Sequence, residues 1–195
     1  MPTPSFSPGL SRPDLPDREF LDRAREFLQA THVALREGQR SCLCGGLAAC
    51  RKYSDAVDAL VSALHERARA RFLSSTPDMK YRMTVIAVGG YGRRELCPKS
   101  DVDLLFLYHY KVDWYVEAMT EGMLYPLWDL GLEVGHSVRN IKETIRLASS
   151  DDSIRSALLD YRYVAGDRGL LEESSGELDR LVYYAAGDRF IDSKI

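Results

Sequence analysis

Two aspartates spaced two apart, Asp101 and Asp103, follow a glycine pair, Gly89-Gly90, after a connection of ten residues. Each pair borders an apolar run. Val85-Ile86-Ala87-Val88 leads into the glycines, and Leu104-Leu105-Phe106-Leu107 leads away from the aspartates. On an extended strand, residues i and i+2 project from one face, so the two carboxylates stand side by side. They offer hard oxygen ligands of the kind magnesium prefers. The glycines leave room for a phosphate to reach backbone N–H groups. Together these residue types suit the handling of a metal-bound phosphate. In nucleotidyl transfer the triphosphate repels the nucleophile and pyrophosphate must leave. Two magnesium ions about 3.5–4 Å apart, clamping the attacking and leaving oxygens, meet both demands. A third carboxylate from a neighbouring strand would complete the ligand set.

The elements that must position these groups are read from periodicity and punctuation. The two apolar runs are expected to be neighbouring strands buried on both faces. Residues 1–16 hold five of the eight prolines and are expected to form a disordered or draped arm. From Asp17, apolar residues at helical spacing predict a helix that stops near Gly38. A turn over Cys42–Gly46 leads to a second helix over Leu47–Phe72, and the two are expected to form an antiparallel hairpin that packs on the domain without doing chemistry. Ser74–Lys80 reads as a linker. A short helix is expected at Arg93–Leu96, stopped by Pro98, and a longer one over Asp113–Leu130, with Pro126 as a kink or break. LEVGHSV (Leu132–Val138) alternates and reads as a third strand. A helix then begins at Asn140 or Lys142. Asp151-Asp152-Ser153 caps another, expected over Ile154–Val164 and closed by Gly166, and a last helix runs over Asp167–Tyr184. The expected organisation is the arm (1–16), a helical region (17–75) and a catalytic domain (76–195).

Composition narrows the setting. The apolar share of 45% and charged share of 28% are those of an ordinary globular protein. A net charge of -3 speaks against a nonspecific nucleic-acid binder. No apolar run is long enough to span a membrane, and the N-terminus lacks the pattern of a secretory signal. The expected location is cytoplasmic, with neither nucleic acid nor membrane as partner. Cys42, Cys44, Cys50 and Cys97 lack zinc-ligand spacing and read as free thiols.

The glycine pair, the gap and Asp101-Val102-Asp103 resemble the signature of the DNA polymerase β-type nucleotidyltransferase superfamily. The longer string GGYGRRELCPKSDVDLLFLY is similar to the N-terminal nucleotidyltransferase domain of the bacterial PII uridylyltransferases/uridylyl-removing enzymes. So are LWDLGLEVGHSVRNIKETI (Leu127–Ile145) and ALLDYRYVAGD (Ala157–Asp167). The resemblance spans Val85 to Asp167. It implies an α+β fold, with a small mixed sheet flanked by helices and preceded by the helical hairpin. It also implies magnesium-dependent transfer of UMP from UTP to a tyrosine of the PII nitrogen-regulatory protein. Asp101 and Asp103 are then the metal ligands. Glu133 is the favoured third carboxylate, with Asp129 and Asp160 as competitors. Gly89, Gly90, Arg93 and Ser100 are expected on the phosphates, although Arg93 also has Glu95 within reach as an ion-pair partner. His136, Arg139 and Tyr91 are further neighbours. The family more often has glycine where this chain has Arg94. Its members are several times longer and continue into HD-type and ACT-type domains, so this chain is expected to be a fragment or truncated product. Two other readings share the motif: a related nucleotidyltransferase with another nucleotide or acceptor, and a non-catalytic nucleotide-binding module.

Overall fold

The computed structural model describes residues 14–41, 45–75 and 82–180. Most of the proline-rich arm, the thiols of Cys42 and Cys44, most of the linker and the expected helix end at Tyr184 lie outside those residues. Two long helices open the chain, α1 (Asp17–Arg40) and α2 (Gly46–Ser75). They run antiparallel. Arg67 near the end of α2 reaches Asp17 at the start of α1 at 2.9 Å, while His32 and Tyr53 pack ring to ring near the turn at 5.3 Å. Next come β1 (Met83–Ala87), a single helical turn α3 (Gly89–Gly92), β2 (Val102–Tyr108), α4 (Trp114–Asp129) and β3 (Val134–Asn140). The chain continues through α5 (Ile141–Ser150), α6 (Asp152–Leu158), β4 (Arg162–Gly166) and α7 (Arg168–Asp179).

The sheet is mixed, in the order β3-β2-β1-β4. β1 is antiparallel to β2 and β4, while β3 returns through α4 to lie parallel to β2. Both faces are covered, which is why β1 and β2 read as unbroken apolar runs. Val85, Ala87, Val102, Leu104 and Phe106 join the core beneath α1, α2 and α4. Ile86, Leu105 and Leu107 join a second core with Ala148, Leu158, Leu171 and Leu178 from α5, α6 and α7. The expected α+β class with a small mixed sheet and flanking helices is what forms. Among the described residues, no helix is long and apolar enough to cross a membrane.

Local signals set most boundaries. Asp113 caps α4 through Val116 N–H, Asn140 caps α5 through Glu143 N–H, and Asp151 caps α6 through the N–H groups of Ser153 and Ile154. Pro126 lies inside α4, which continues to Asp129.

Two expectations fail. The helix expected over Ile154–Val164 ends at Leu158, and the rest forms strand β4. Ile154, Ala157, Leu158, Tyr161 and Val164 fit a helical period, yet the Tyr161–Val164 stretch favours a pleated surface and the open edge of β1 supplies it with a partner. The short helix expected at Arg93–Leu96 instead occupies Gly89–Gly92. Arg94 ends any continuation because it adopts φ 59°, the left-handed region.

Candidate active site

The glycine turn is built by steric necessity. β1 ends at Ala87, and Val88 donates its N–H to the carbonyl of Asp103 at 3.2 Å, which ties the turn to β2. Gly89 then takes φ 58°, and the chain curls into α3. A side chain at Gly92 would overlap the backbone carbonyl of Asp160, so this position admits only glycine without a shift.

Asp103 sits on the face of β2 that looks toward α5 and α6. Its carboxylate lies between two glycines. A Cβ on Gly89 would stand 3.5 Å from Oδ2, and a Cβ on Gly135 would collide with Oδ1. Gly135 is the residue paired with Asp103 in the parallel β2–β3 register. Burial, and then the negative charge of Asp101, raises the Asp103 pKa above the ordinary carboxylate value. Asp101 is exposed and stands just before β2 rather than within it. The two carboxylates are close enough to repel, and a divalent cation would relieve that repulsion.

A cavity of about 220 Å³ opens over Asp103, bordered by Val88, Gly135, Ser137 and Arg139. Alternation along β3 places Gly135, Ser137 and Arg139 on the Asp103 side. Arg139 borders the cavity, its charge reaches Asp151, and its guanidinium is a cation that an anionic ligand there could meet. His136 faces the other way and packs edge-on against Trp128, with ring centroids 5.9 Å apart.

The remaining candidates are more dispersed. Glu133 is exposed at the residue before β3, and its carbonyl accepts from Val102 N–H at 2.8 Å. With Ser100, Lys99, Arg25 and His32 it borders a separate groove of about 580 Å³ between α1 and the start of β2. Among the described residues, no three carboxylate, histidine or cysteine side chains are arranged to hold a metal, so Glu133 does not close a three-ligand set with the aspartates. Asp160 is engaged by Arg93, which donates to it at 3.3 Å and to Glu95 at 2.8 Å. Arg93 therefore holds the ion pair that competes with the phosphate contact expected of it, but both links are largely solvent-exposed and cheap to exchange. Asp129 ends α4, where its carbonyl accepts from Arg25.

Contacts that the sequence did not point to hold the turn in place. Arg162 on β4 grips Asp58 of α2 with both terminal nitrogens, at 2.7 and 3.0 Å. It also donates to the carbonyls of Gly92 and Tyr91 at 3.2 and 3.1 Å, and its guanidinium stacks over the Tyr91 ring. The Tyr91 hydroxyl, kept protonated by deep burial, donates to Asp58 at 2.7 Å. One carboxylate of the helical hairpin thus fastens the glycine turn from below, a part the hairpin was not expected to play. Arg94 pairs with Asp55 one turn earlier on α2.

Residues 12–121 match the family model described as glutamate-ammonia ligase adenylyltransferase, a span that takes in both the glycine turn and the aspartate pair. The chain is also similar to several proteins named bifunctional uridylyltransferase/uridylyl-removing enzyme. One from a Bradyrhizobium species is 37% identical over 176 residues, covering 90% of this chain and 18% of the relative. One from Ruegeria pomeroyi is 38% identical over 172 residues, covering 88% and 19%. One from Cereibacter sphaeroides is 46% identical over 121 residues, covering 62% and 13%. The chain therefore spans about a fifth or less of the length of these relatives.

Proposed function

The chain belongs to the nucleotidyltransferase family that this model describes, and from that membership we propose that it transfers UMP from UTP to a tyrosine hydroxyl of a PII nitrogen-regulatory protein, releasing pyrophosphate. The observation that carries the reading is the Asp103 carboxylate seated between Gly89 and Gly135, with Asp101 beside it. Magnesium fits this donor set: two carboxylates, one half-buried with a raised pKa, leave the remaining positions of an octahedral ion to phosphate oxygens and water. When bound, the ion neutralises the triphosphate and lowers the pKa of the attacking hydroxyl.

The protein's own groups divide the remaining work. Asp101 and Asp103 would hold the ion, while Glu133, in the groove across the entry to β2, would act on the acceptor side. Gly89 and Gly90 leave the turn open to the phosphates, while Arg93 can exchange its exposed carboxylates for them. Ser100 borders the same groove as Glu133 and would meet a phosphate or acceptor entering it. A cytoplasmic setting accords with this chemistry.

The test is transfer of label from radioactive UTP to purified PII in the presence of magnesium. Label should appear with the wild-type chain and vanish in the double variant Asp101→Asn, Asp103→Asn. Label that persists in the double variant refutes the site.

The family model's description favours a second nucleotide, since it names an adenylyltransferase where the relatives are uridylyltransferases. Competition between ATP and UTP for the magnesium-loaded chain separates the two. Tighter binding of ATP replaces the nucleotide while leaving the site unchanged.

A further inference from the structure

Cys50 on α2 and Cys97, in the connection between the glycine turn and Asp101, bring their sulfurs to 3.1 Å across 47 residues of chain. Cys97 is exposed and Cys50 partly so. A cavity of about 390 Å³ opens beside the pair, bordered by Leu35 and Ala49 and carrying the cationic side chains of Arg36 and Lys99. The sequence alone reads these cysteines as independent free thiols. The fold makes them neighbours and places an entrance with positive charge next to them.

We propose that Cys50 and Cys97 form a dithiol modification site, oxidised to an intramolecular disulfide by a small anionic disulfide that enters this cavity. The exposed Cys97, as thiolate, attacks one sulfur of the small disulfide. That S–S bond breaks, a Cys97 mixed disulfide forms, and one small thiolate leaves and takes up a proton. Cys50 then gives its proton to solvent and attacks the Cys97 sulfur. The mixed disulfide breaks and the second small thiol leaves. Two protein thiols are oxidised while one disulfide is reduced to two thiols. Contact with Cys97, together with burial, raises the Cys50 pKa, in keeping with Cys50 acting second. In a compartment held reducing, the bond forms only when small disulfides accumulate. It would fasten the connection that leads into Asp101 to the hairpin beneath it.

The proposal does not depend on what the enzyme transfers. The experiment treats the full chain, folded and then unfolded in guanidinium, with oxidised glutathione, and maps disulfides by non-reducing peptide mass spectrometry. In the folded chain, a linked peptide joining Cys50 and Cys97 should be the dominant disulfide, and it should disappear on adding dithiothreitol. Unfolding should abolish its preference over pairings with Cys42 and Cys44. Cys50→Ser should leave a persistent glutathione adduct on Cys97, because the resolving thiol is gone. A folded wild-type chain that keeps glutathione on Cys97, or that pairs Cys97 with Cys42 or Cys44 instead, overturns the assignment. Cys97→Ser, a near-isosteric change at an exposed position, provides the second variant and should form no linked peptide.

Discussion

At the scale of single residues, the site depends on a missing atom. Gly135 lacks the Cβ that would run into Asp103 Oδ1, and the two residues are register partners. Gly135→Ala should push the carboxylate out of its seat and weaken magnesium-nucleotide binding by about 10–100-fold, the range expected when the support of a metal ligand is disturbed. Titration calorimetry with magnesium and UTP measures this, and wild-type affinity in the variant would show that the seat is unimportant. His65 makes a second prediction. It is 3% exposed on α2, with Glu66 and Arg69 as charged neighbours and Gly166 against its ring. Burial is the leading influence and holds its pKa below 6.5, so the folded ring resists a proton that the unfolded chain accepts. Stability is therefore lost as pH falls from about 6.5 toward the lower folded value, and His32 adds in the same direction. Urea midpoints at about pH 7.5 and about pH 5.5 should differ less in His65→Leu than in the wild type. Equal differences would remove His65 from the account. Asp17 and Asp167, whose pKa values are lowered by arginine partners, act in the more acidic carboxylate range.

At the scale of elements, α2, α3 and β4 are joined by Arg162. Its loss leaves the Asp58 carboxylate without its cation and takes one donor from the Gly92 and Tyr91 carbonyls, of which Tyr91 still accepts from Arg94 N–H. With about a quarter of each side chain exposed, the cost of Arg162→Ala should be about 2–3 kcal/mol, below that of a fully buried pair. Thermal unfolding should show a melting temperature lower by roughly 5–10 °C. A fall of under about 2 °C would mean that water replaces the clamp. The same turn carries a local conflict. Arg94 stands at φ 59°, where an L side chain costs roughly 1–2 kcal/mol, and its ion pair with Asp55 is exposed. Arg94→Gly should therefore leave stability unchanged or raise it by up to about 1 kcal/mol. A loss of stability would show that the Asp55 link outweighs the backbone.

At the scale of the whole molecule, what the sequence disclosed was what lies close along the chain. β1 and β2 were legible because continuous apolar runs bounded by turn residues leave few alternatives, and the caps at Asp113, Asn140 and Asp151 act within three residues. The aspartate pair was legible because its spacing is itself the signal. β4 was not, since Ile154–Val164 satisfies a helical period and only the free edge of β1 decides otherwise. The Asp58–Arg162 grip was beyond reach, because its partners are 104 residues apart and nothing in the string around Arg162 points to Asp58. Gly135 was legible only as part of the third strand, and it is the register that sets it opposite Asp103. The groove containing Glu133 and the cavity over Asp103 lie on different sides of β2's entry, which alternation alone does not reveal.

The central position of β1 bears on the order in which the molecule comes together during synthesis. Its partner on one side, β2, is made almost at once, but on the other side Thr84 waits for Ala165, 81 residues later. Until β4 arrives, a nascent chain holds the carboxylate pair with one side of β1 unsealed and the Arg162 grip unformed. Joining strands so distant in sequence is the slow kind of step. In pulsed hydrogen-exchange refolding, the amides paired between β1 and β2 should gain protection before those paired between β1 and β4. Simultaneous protection would mean that the sheet closes in one event. The last strand to join also brings the arginine that steadies the glycine turn, so an unfinished chain would carry its candidate metal-binding carboxylates before it could hold them still.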